Sequence, residues 1–205
     1  MGPASHLIFL VEELSMEAFL QELLPRVLPS ITPEIIRFQG KPDLLKQLGK
    51  RLRAYSKLLP IESRLVVLID RDDEDCLELK KRLEIEADQS GLLSKSKSGT
   101  RDWQILNRVA IEELEAWYFG NWYAVQKAYP RVPDSIPKKA PYRNPDQIKG
   151  GTWEAFEREM QKAGYFNGGL SKIEAARSIG KHIDVSRNTS PSFAVLIDSL
   201  MEATR

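Results

Sequence analysis

Four short runs of aliphatic residues lie in the first half of the chain, and a segment with helical spacing follows each of them. The runs cover residues 7–11, 34–38, 64–69 and 104–111, and RLVVLI at residues 64–69 is the most continuous. A short apolar run without polar alternation is typical of a strand that is buried on both faces. Strands that alternate with helices predict right-handed βαβ units, and therefore an α/β fold with a four-stranded parallel sheet flanked by helices.

The helices are predicted from apolar residues that recur every three or four positions. Ser15 is expected to cap the first helix, and Pro42 and Asp43 open the second. Residues 94–100 are rich in Ser, Lys and Gly and predict a polar loop. The first, third and fourth helices are predicted over residues 16–28, 76–87 and 112–129, the last as one continuous helix.

The second half of the chain has a different pattern. Residues 130–151 are rich in Pro, Lys and Gly and predict a long linker. Three further helices are predicted at residues 152–163, 171–183 and 192–203. We therefore expect an α/β domain over residues 1–129, followed by a linker and a helical C-terminal subdomain over residues 130–205.

Composition and charge narrow the function classes. The chain has 42% hydrophobic and 29% charged residues, which is ordinary for a soluble globular protein. The formal net charge of its 205 residues is +1, so nucleic acid binding requires a local basic patch. The single cysteine, Cys76, fits a reducing compartment, and no apolar stretch approaches the ~20 residues that span a bilayer. We expect a cytoplasmic protein without membrane contact.

Two groups of acidic residues stand where predicted strands end. Glu12 follows the first apolar run, and Asp70 and Asp72 follow the third, in the segment DRDDED. The carboxyl ends of parallel strands share one edge of the sheet, where ligands bind. Converging carboxylates repel one another, so a cation is expected between them, and oxygen ligands suit Mg²⁺, Mn²⁺ or Ca²⁺. The sequence therefore predicts a divalent metal site at this edge.

A simpler interpretation is that acids at these positions stabilise the N-termini of the following helices through the helix dipole. We favour it for the four neighbouring acids, which are Glu13, Asp73, Glu74 and Asp75. For Glu12, Asp70 and Asp72 we favour metal binding. Here a D-x-D segment directly follows an aliphatic strand, and a glutamate ends another strand upstream. The chain has no G-x-x-x-x-G-K-[ST] motif, which argues against nucleotide hydrolysis at a P-loop. It has only two histidines, which argues against a His-based zinc or hydrolase centre.

The segments VEELSMEAF and LIDRDDED resemble the two acidic motifs of the Toprim domain of type IA topoisomerases, over about residues 6–115. The whole chain is similar to a family of small bacterial Toprim proteins of unknown function, often encoded beside an ABC-type (AAA) ATPase. That family is related to the RloB-like and OLD-type nucleases of phage defence. The segments IEELEAW, LSKIEAARSIGKHI and RNTSPSF support this closer resemblance.

The resemblance implies that Glu12, Asp70 and Asp72 bind Mg²⁺ or Mn²⁺ and act as acid–base residues. The chain departs from the motifs at two positions, because Glu13 and Asp75 stand where the family has glycines. Glycine lets a phosphate backbone approach closely, so carboxylates there oppose the entry of nucleic acid. The resemblance is therefore weaker for cleavage than for metal binding.

Two residues further along the chain extend the predicted site. Glu115 in E-A-W resembles a glutamate of RloB-like proteins and is the candidate ligand of a second metal, with Glu112 in reserve. Stabilisation of a helix dipole is an equally good explanation for either glutamate. Lys172, after the expected cap Ser171, resembles a lysine with which OLD-like nucleases neutralise the scissile phosphate. The alternative is a solvated surface lysine.

We therefore expect a Toprim nuclease that cleaves DNA or RNA with Mg²⁺ or Mn²⁺, in anti-phage defence with an ATPase partner. The rival hypothesis is a regulatory or scaffolding partner of an ATPase that binds metal and cuts nothing. A receiver-type phospho-acceptor is a third possibility, although the lysine it needs at a fifth strand is missing. A complete topoisomerase is excluded by size, since 205 residues cannot build a strand-passage gate.

Overall fold

A parallel four-stranded sheet forms the centre of the molecule, as the computed structural model shows for residues 2–99 and 102–205. The strands are His6–Val11 (β1), Thr32–Arg37 (β2), Ser63–Asp70 (β3) and Ile105–Ala110 (β4). The strand order is β2-β1-β3-β4, which leaves β1 and β3 as central neighbours. Val11 at the end of β1 pairs with Arg37 of β2 and Leu68 of β3, and Asp70 at the end of β3 pairs with Ala110 of β4. The predicted α/β fold class is confirmed.

Helices cover both faces of this sheet and continue through the second half of the chain. The α-helices are Leu14–Val27 (α1), Lys41–Leu58 (α2), Cys76–Gln89 (α3), Lys95–Ser98 (α4), Leu114–Gly120 (α5), Trp122–Ala128 (α6), Thr152–Lys162 (α7), Lys172–Gly180 (α8) and Pro191–Ala203 (α9). Three short 3-10 helices lie between α6 and α7, at Ile136–Lys138, Ala140–Tyr142 and Pro145–Gln147.

The structure corrects three local predictions. The helix expected over residues 112–129 is two helices, because the Asn121 side chain accepts from the Ala124 N–H and begins α6 anew. Ser15 is not the cap of α1, which begins one residue earlier, and its hydroxyl instead donates to the Glu13 carboxylate. The loop predicted at 94–100 contains the short helix α4, and residue 100 lies outside the described residues.

Alternate residues of the two central strands face opposite sides and build two hydrophobic clusters. On one face, Phe9 and Val66 pack with residues of α1 and of α5 to α9. On the other face, Leu10 and Val67 pack with α2 and α3. This alternation explains why the strands are apolar at nearly every position, as the sequence pattern indicated.

The C-terminal helices share the first of these clusters with the sheet. The ring of Trp117 in α5 lies 5.7 Å from Phe19 in α1 and 5.3 Å from Phe193 in α9, measured between centroids. Tyr142, within the segment predicted as a linker, stacks on Phe119 at 4.9 Å. The division at residue 130 stays a prediction. Within the described residues, no helix is long and apolar enough to span a membrane.

Gly120, the last residue of α5, provides a test of the packing of α5 against the C-terminal helices. The segment that precedes α9 contacts its backbone. The Thr189 N–H donates to the Gly120 oxygen at 2.9 Å, and a Cβ on Gly120 would lie 3.0 Å from the Ser190 nitrogen. We predict that Gly120→Ala lowers the free energy of unfolding, measured by urea denaturation, by about 1–3 kcal/mol. Gly168→Ala is the control, since the described residues leave open space around that position. Equal losses in the two variants would contradict the packing.

Candidate metal centre at the sheet edge

Two of the predicted acids meet where the central strands end. Glu12 follows β1 directly, and Asp70 is the last residue of β3. The Glu12 Oε1 accepts a hydrogen bond from the Asp70 backbone N–H at 2.8 Å, and both side chains are buried. The parallel pairing of β1 with β3 therefore brings the two residues together, as the sequence predicted from the shared strand edge.

A third buried carboxylate, Glu115, comes from the first turn of α5, just after β4. Its side chain is buried, and its charge acts on Asp70. Within the described chain, neither the Asp70 Oδ1 nor the Glu115 Oε1 has a hydrogen-bond partner, although both atoms are buried. We call these two atoms the open oxygens. Buried polar atoms are normally paired, so the open oxygens are acceptors suited to a bound cation or water.

Burial and mutual repulsion disfavour negative charge on this set. Burial raises the pKa of Glu12 to about 7, although the Asp70 N–H and Lys41 act in the opposite direction. Burial also raises the pKa of Glu115 to about 7, against the effect of Lys172. The pKa of Asp70 lies well above its usual value because of burial, followed by repulsion from Glu12 and Glu115. A cation bound here would favour the charged forms.

Asp72 occupies a different environment from the buried acids. Its side chain is 51% exposed, and its Oδ2 lies 2.7 Å from the Nζ of Lys41. Lys41 also lies 3.0 Å from the Glu74 Oε1. Sequence analysis missed Lys41. It is the first residue of α2 and precedes the lysines and arginines that form the basic outer face of that helix. Throughout residues 2–99 and 102–205, no three His, Cys, Asp or Glu are arranged to hold a metal ion. The metal role of Asp72 stays a prediction.

Lys172 brings a positive charge to the buried acids from the C-terminal half of the chain. It opens α8 after Ser171, and its Nζ lies 4.0 Å from the Glu113 Oε1 and 5.3 Å from the centroid of the Trp153 ring. Burial lowers the pKa of Lys172, but Glu115 and the other nearby carboxylates outweigh it, so the pKa is raised. Lys172 is therefore held as an ammonium group beside the acids.

The two glutamates that precede the predicted second ligand, Glu115, have separate structural partners. Glu113, which sequence analysis did not select, accepts from the N–H groups of Thr152 and Trp153 and caps α7 from a distance. The sequence feature that could have drawn attention to Glu113 is the presence of three acids among residues 112–115. Glu112, the reserve candidate, forms an ion pair with Arg71. Glu115 is thus the one of the three that carries an open oxygen.

The two positions that lack the family glycines do not need them for backbone reasons. Glu13 has φ −142° and Asp75 has φ −68°, both accessible to any residue. The Asp75 carboxylate caps α3 by accepting from the N–H groups of Leu77 and Glu78. The sequence favoured dipole stabilisation at the helix N-terminus for Asp75, and the structure places Asp75 at the N-cap of α3. Its charge is therefore directed to a helix end.

A cleft of about 450 Å³ opens beside the acids, between the end of β1 and the start of α8. Glu12, Glu13 and Lys172 are among the residues that line it. The cleft thus presents carboxylates and an ammonium group to whatever enters it. This pairing suits a substrate that carries both an anionic group and an attached cation.

Comparison with known proteins places the chain in a family. The chain belongs to DUF4276, a domain of unknown function, whose family model matches residues 11–201. The C-terminal region of the Burkholderia pseudomallei OLD protein has a similar fold, with a TM-score of 0.52 at 12% identity, over 98% of this chain and 99% of that one. The C-terminal region of the Xanthomonas campestris pv. campestris OLD protein aligns with a TM-score of 0.46 at 15% identity, over 98% and 92%. No curated protein matches significantly.

The raised pKa of Glu115 predicts how stability depends on pH without metal. The pKa is about 7 in the folded protein against 4.5 for a free glutamate, so the native state binds more protons in this range and loses stability as pH rises through it. Between about pH 5.5 and about pH 8, wild type should lose about 2 kcal/mol more unfolding free energy than Glu115→Gln.

Urea denaturation in EDTA at the two pH values measures this difference. Glu78→Gln is the control, since Glu78 lies exposed on α3. The control variant should follow wild type. If the unfolding free energy of Glu115→Gln depends on pH as strongly as that of wild type, the pKa of Glu115 is not raised in the folded protein.

Proposed function

We propose that this protein is a metal-dependent nuclease that cleaves phosphodiester bonds in DNA or RNA. The observation that carries the proposal is the buried set of Glu12, Asp70 and Glu115, with its two open oxygens, at the carboxyl edge of a parallel sheet. Glu12, the member of this set that lines the cleft, has a pKa raised by burial, and such acids in clefts are a recognised mark of functional sites. A purely structural role gives no reason to bury three mutually repelling carboxyl groups together.

The donor chemistry of the site fits Mg²⁺ or Mn²⁺. Carboxylate oxygens are the ligands that these ions prefer. Glu12, Asp70 and Asp72 would hold the first ion, and Asp72 and Glu115 the second. When bound, such ions polarise a phosphate and lower the pKa of water. Within the described residues these acids are not arranged as a group of three ligands, so metal binding requires their carboxylates to rearrange.

Other residues beside the proposed metal ions would bind and orient the phosphate. Lys172, kept as an ammonium group by the surrounding acids, would neutralise charge on the phosphate. Glu113 lies beside Lys172 and is itself fixed by the start of α7, so it limits the positions that the lysine can take. A bound cation would lower the pKa of Glu12 from about 7, so that Glu12 would act as a charged ligand.

Two similarities support the same class of reaction. The sequence motifs resemble those of OLD-type and RloB-like nucleases, and the fold resembles the C-terminal region of the Burkholderia pseudomallei OLD protein. The motif residues Glu12 and Asp70 lie together in the structure, so the resemblance is carried by residues that meet in space.

We further propose an ABC/AAA-type ATPase partner and a role in phage defence, on the basis of the family resemblance. A net charge of +1 gives little attraction to a nucleic acid backbone, so a partner that shares substrate binding is expected. The outer face of α2 supplies a basic surface for this contact, with Lys46, Lys50, Arg53 and Lys57.

A metal-binding regulatory partner that cuts nothing is the second candidate. The observation that favours it is the contact between Lys41 and Asp72, which withholds one predicted ligand. Metal binding is common to both candidates, whereas cleavage separates them.

Metal binding should appear first as stabilisation. A ligand that binds the native state alone adds about 2.7 kcal/mol at ~100 times its dissociation constant, so Mn²⁺ should raise the melting temperature. Asp70→Asn should abolish most of this rise, because it removes the charge next to one open oxygen. Asp73→Asn, which changes an exposed acid in the same segment, should keep it. Equal shifts in wild type and Asp70→Asn would argue decisively against the site.

Cleavage should depend on Asp72 and, to a smaller extent, on Lys172. We expect Asp72→Asn to abolish metal-dependent cleavage of single- or double-stranded DNA or of tRNA, while Asp73→Asn retains it. Lys172→Ala should slow cleavage, because it removes about 3–4 kcal/mol of transition-state stabilisation. The assays need Mg²⁺ and Mn²⁺, with and without the ATPase.

Two results would overturn this assignment. Cleavage that persists in Asp72→Asn would point to another site or to a contaminating nuclease. A protein that binds metal but cleaves none of these substrates under any of these conditions would instead be the regulatory partner.

A further inference from the structure

Lys41, the first residue of α2, is directed at the segment that contains the D-x-D motif. Its side chain is 9% exposed, and a lysine so buried normally has partners. Its Nζ lies 2.7 Å from the Asp72 Oδ2 and 3.0 Å from the Glu74 Oε1, and it donates to the Arg71 oxygen at 3.1 Å. The three hydrogens of the ammonium group therefore match three acceptors of one loop.

The backbone of Asp72 is shaped for this contact. Its φ of +50° lies in the left-handed region, which few residues other than Gly, Asn and Asp adopt. Its N–H donates to the Glu112 oxygen at 2.9 Å, so the loop is also fixed to the start of α5. The Asp72 side chain is nevertheless half exposed, so ions in solution can reach it.

The start of α2 is also fixed to the buried acids. The Gly40 N–H donates to the Glu12 backbone oxygen at 2.8 Å, and Lys41 attracts the Glu12 carboxylate electrostatically. Pro42 follows as the second residue of the helix, where its ring restricts the backbone. The start of the helix is therefore fixed, so Lys41 has to leave Asp72 by rotating its side chain.

We propose that Lys41 is an internal counter-cation of the D-x-D loop, which a divalent metal must displace from Asp72 before that carboxylate can bind the metal. The inference rests on the proposed function, since it assumes the metal centre, and it assigns Lys41 as a positioning residue. One carboxylate beside both an ammonium group and a divalent ion would bring two cations into repulsion. Lysine and metal therefore compete for Asp72.

This exchange explains how the metal-free loop keeps its shape. Asp72 and Glu74 would repel each other without a cation between them, and Lys41 supplies it. The same contact lowers the affinity for metal, because binding must break it. Removal of the ammonium group should therefore strengthen metal binding, whereas a residue that merely scaffolds the loop would weaken it when removed.

The test compares Mn²⁺ dissociation constants, measured by calorimetry, in wild type, Lys41→Met, Lys41→Arg and Lys46→Met. Lys46 is the matched control, because it is exposed on the same helix and its loss changes the net charge equally. Lys41→Met should bind Mn²⁺ about tenfold more tightly than wild type, since a positive charge next to the site is removed. Lys46→Met and Lys41→Arg should both stay within about threefold of wild type, since distant exposed charges are screened and arginine keeps the charge.

Each outcome bears on a distinct claim. Unchanged or weaker Mn²⁺ binding by Lys41→Met would overturn the role of Lys41 and leave the proposed function intact. Equal tightening in Lys46→Met would also overturn it, by showing a general charge effect. If none of the four proteins, wild type included, binds Mn²⁺, the metal centre fails, and the proposed function fails with it.

A second measurement needs no variant and holds even if Lys41→Met does not fold. Brief acetylation with acetic anhydride, followed by mass spectrometry, reports the reactivity of each lysine. Mn²⁺ should raise the acetylation of Lys41 relative to that of Lys46 in wild type, because the displaced amine becomes accessible. An unchanged or lower ratio at saturating Mn²⁺ would overturn the proposal.

Discussion

The repulsion between acids buried at the ends of adjacent parallel strands governs the candidate centre. Glu12 and Asp70 are placed side by side by the pairing of β1 with β3, and Glu115 joins them from the start of α5. Their burial raises their pKa values and leaves two carboxylate oxygens open. The surrounding structure can tolerate this arrangement through protons, through nearby ammonium groups or through a bound metal.

Cations reach the acids from three separate parts of the chain, and each has its own partner. Lys41 at the start of α2 contacts Asp72, Arg71 pairs with Glu112, and Lys172 at the start of α8 lies beside Glu113. The C-terminal helices thus contribute charge to the centre as well as packing to the core. The family model spans residues 11–201 and therefore includes these helices as well as the sheet.

The sequence predicted the parts of the centre that follow from strand order. Aliphatic runs identify β1 and β3, and parallel pairing alone brings Glu12 and Asp70 to one edge. Side-chain contacts between distant segments could not be predicted in this way. Lys41 lies in a helix with several other lysines, and its burial depends on the shape of the D-x-D loop. The break at Asn121 depends on a side-chain hydrogen bond that apolar spacing does not reveal.

The central claim is that a divalent cation binds where Glu12 and Asp70 meet. Crystals grown with Mn²⁺ and measured for its anomalous scattering locate the ion directly. The account predicts the strongest anomalous peak in contact with the Glu12 and Asp70 carboxylates, with Asp72 turned towards it and away from Lys41. A strong peak elsewhere, with Asp72 still paired to Lys41 and these two carboxylates free of metal, would contradict it.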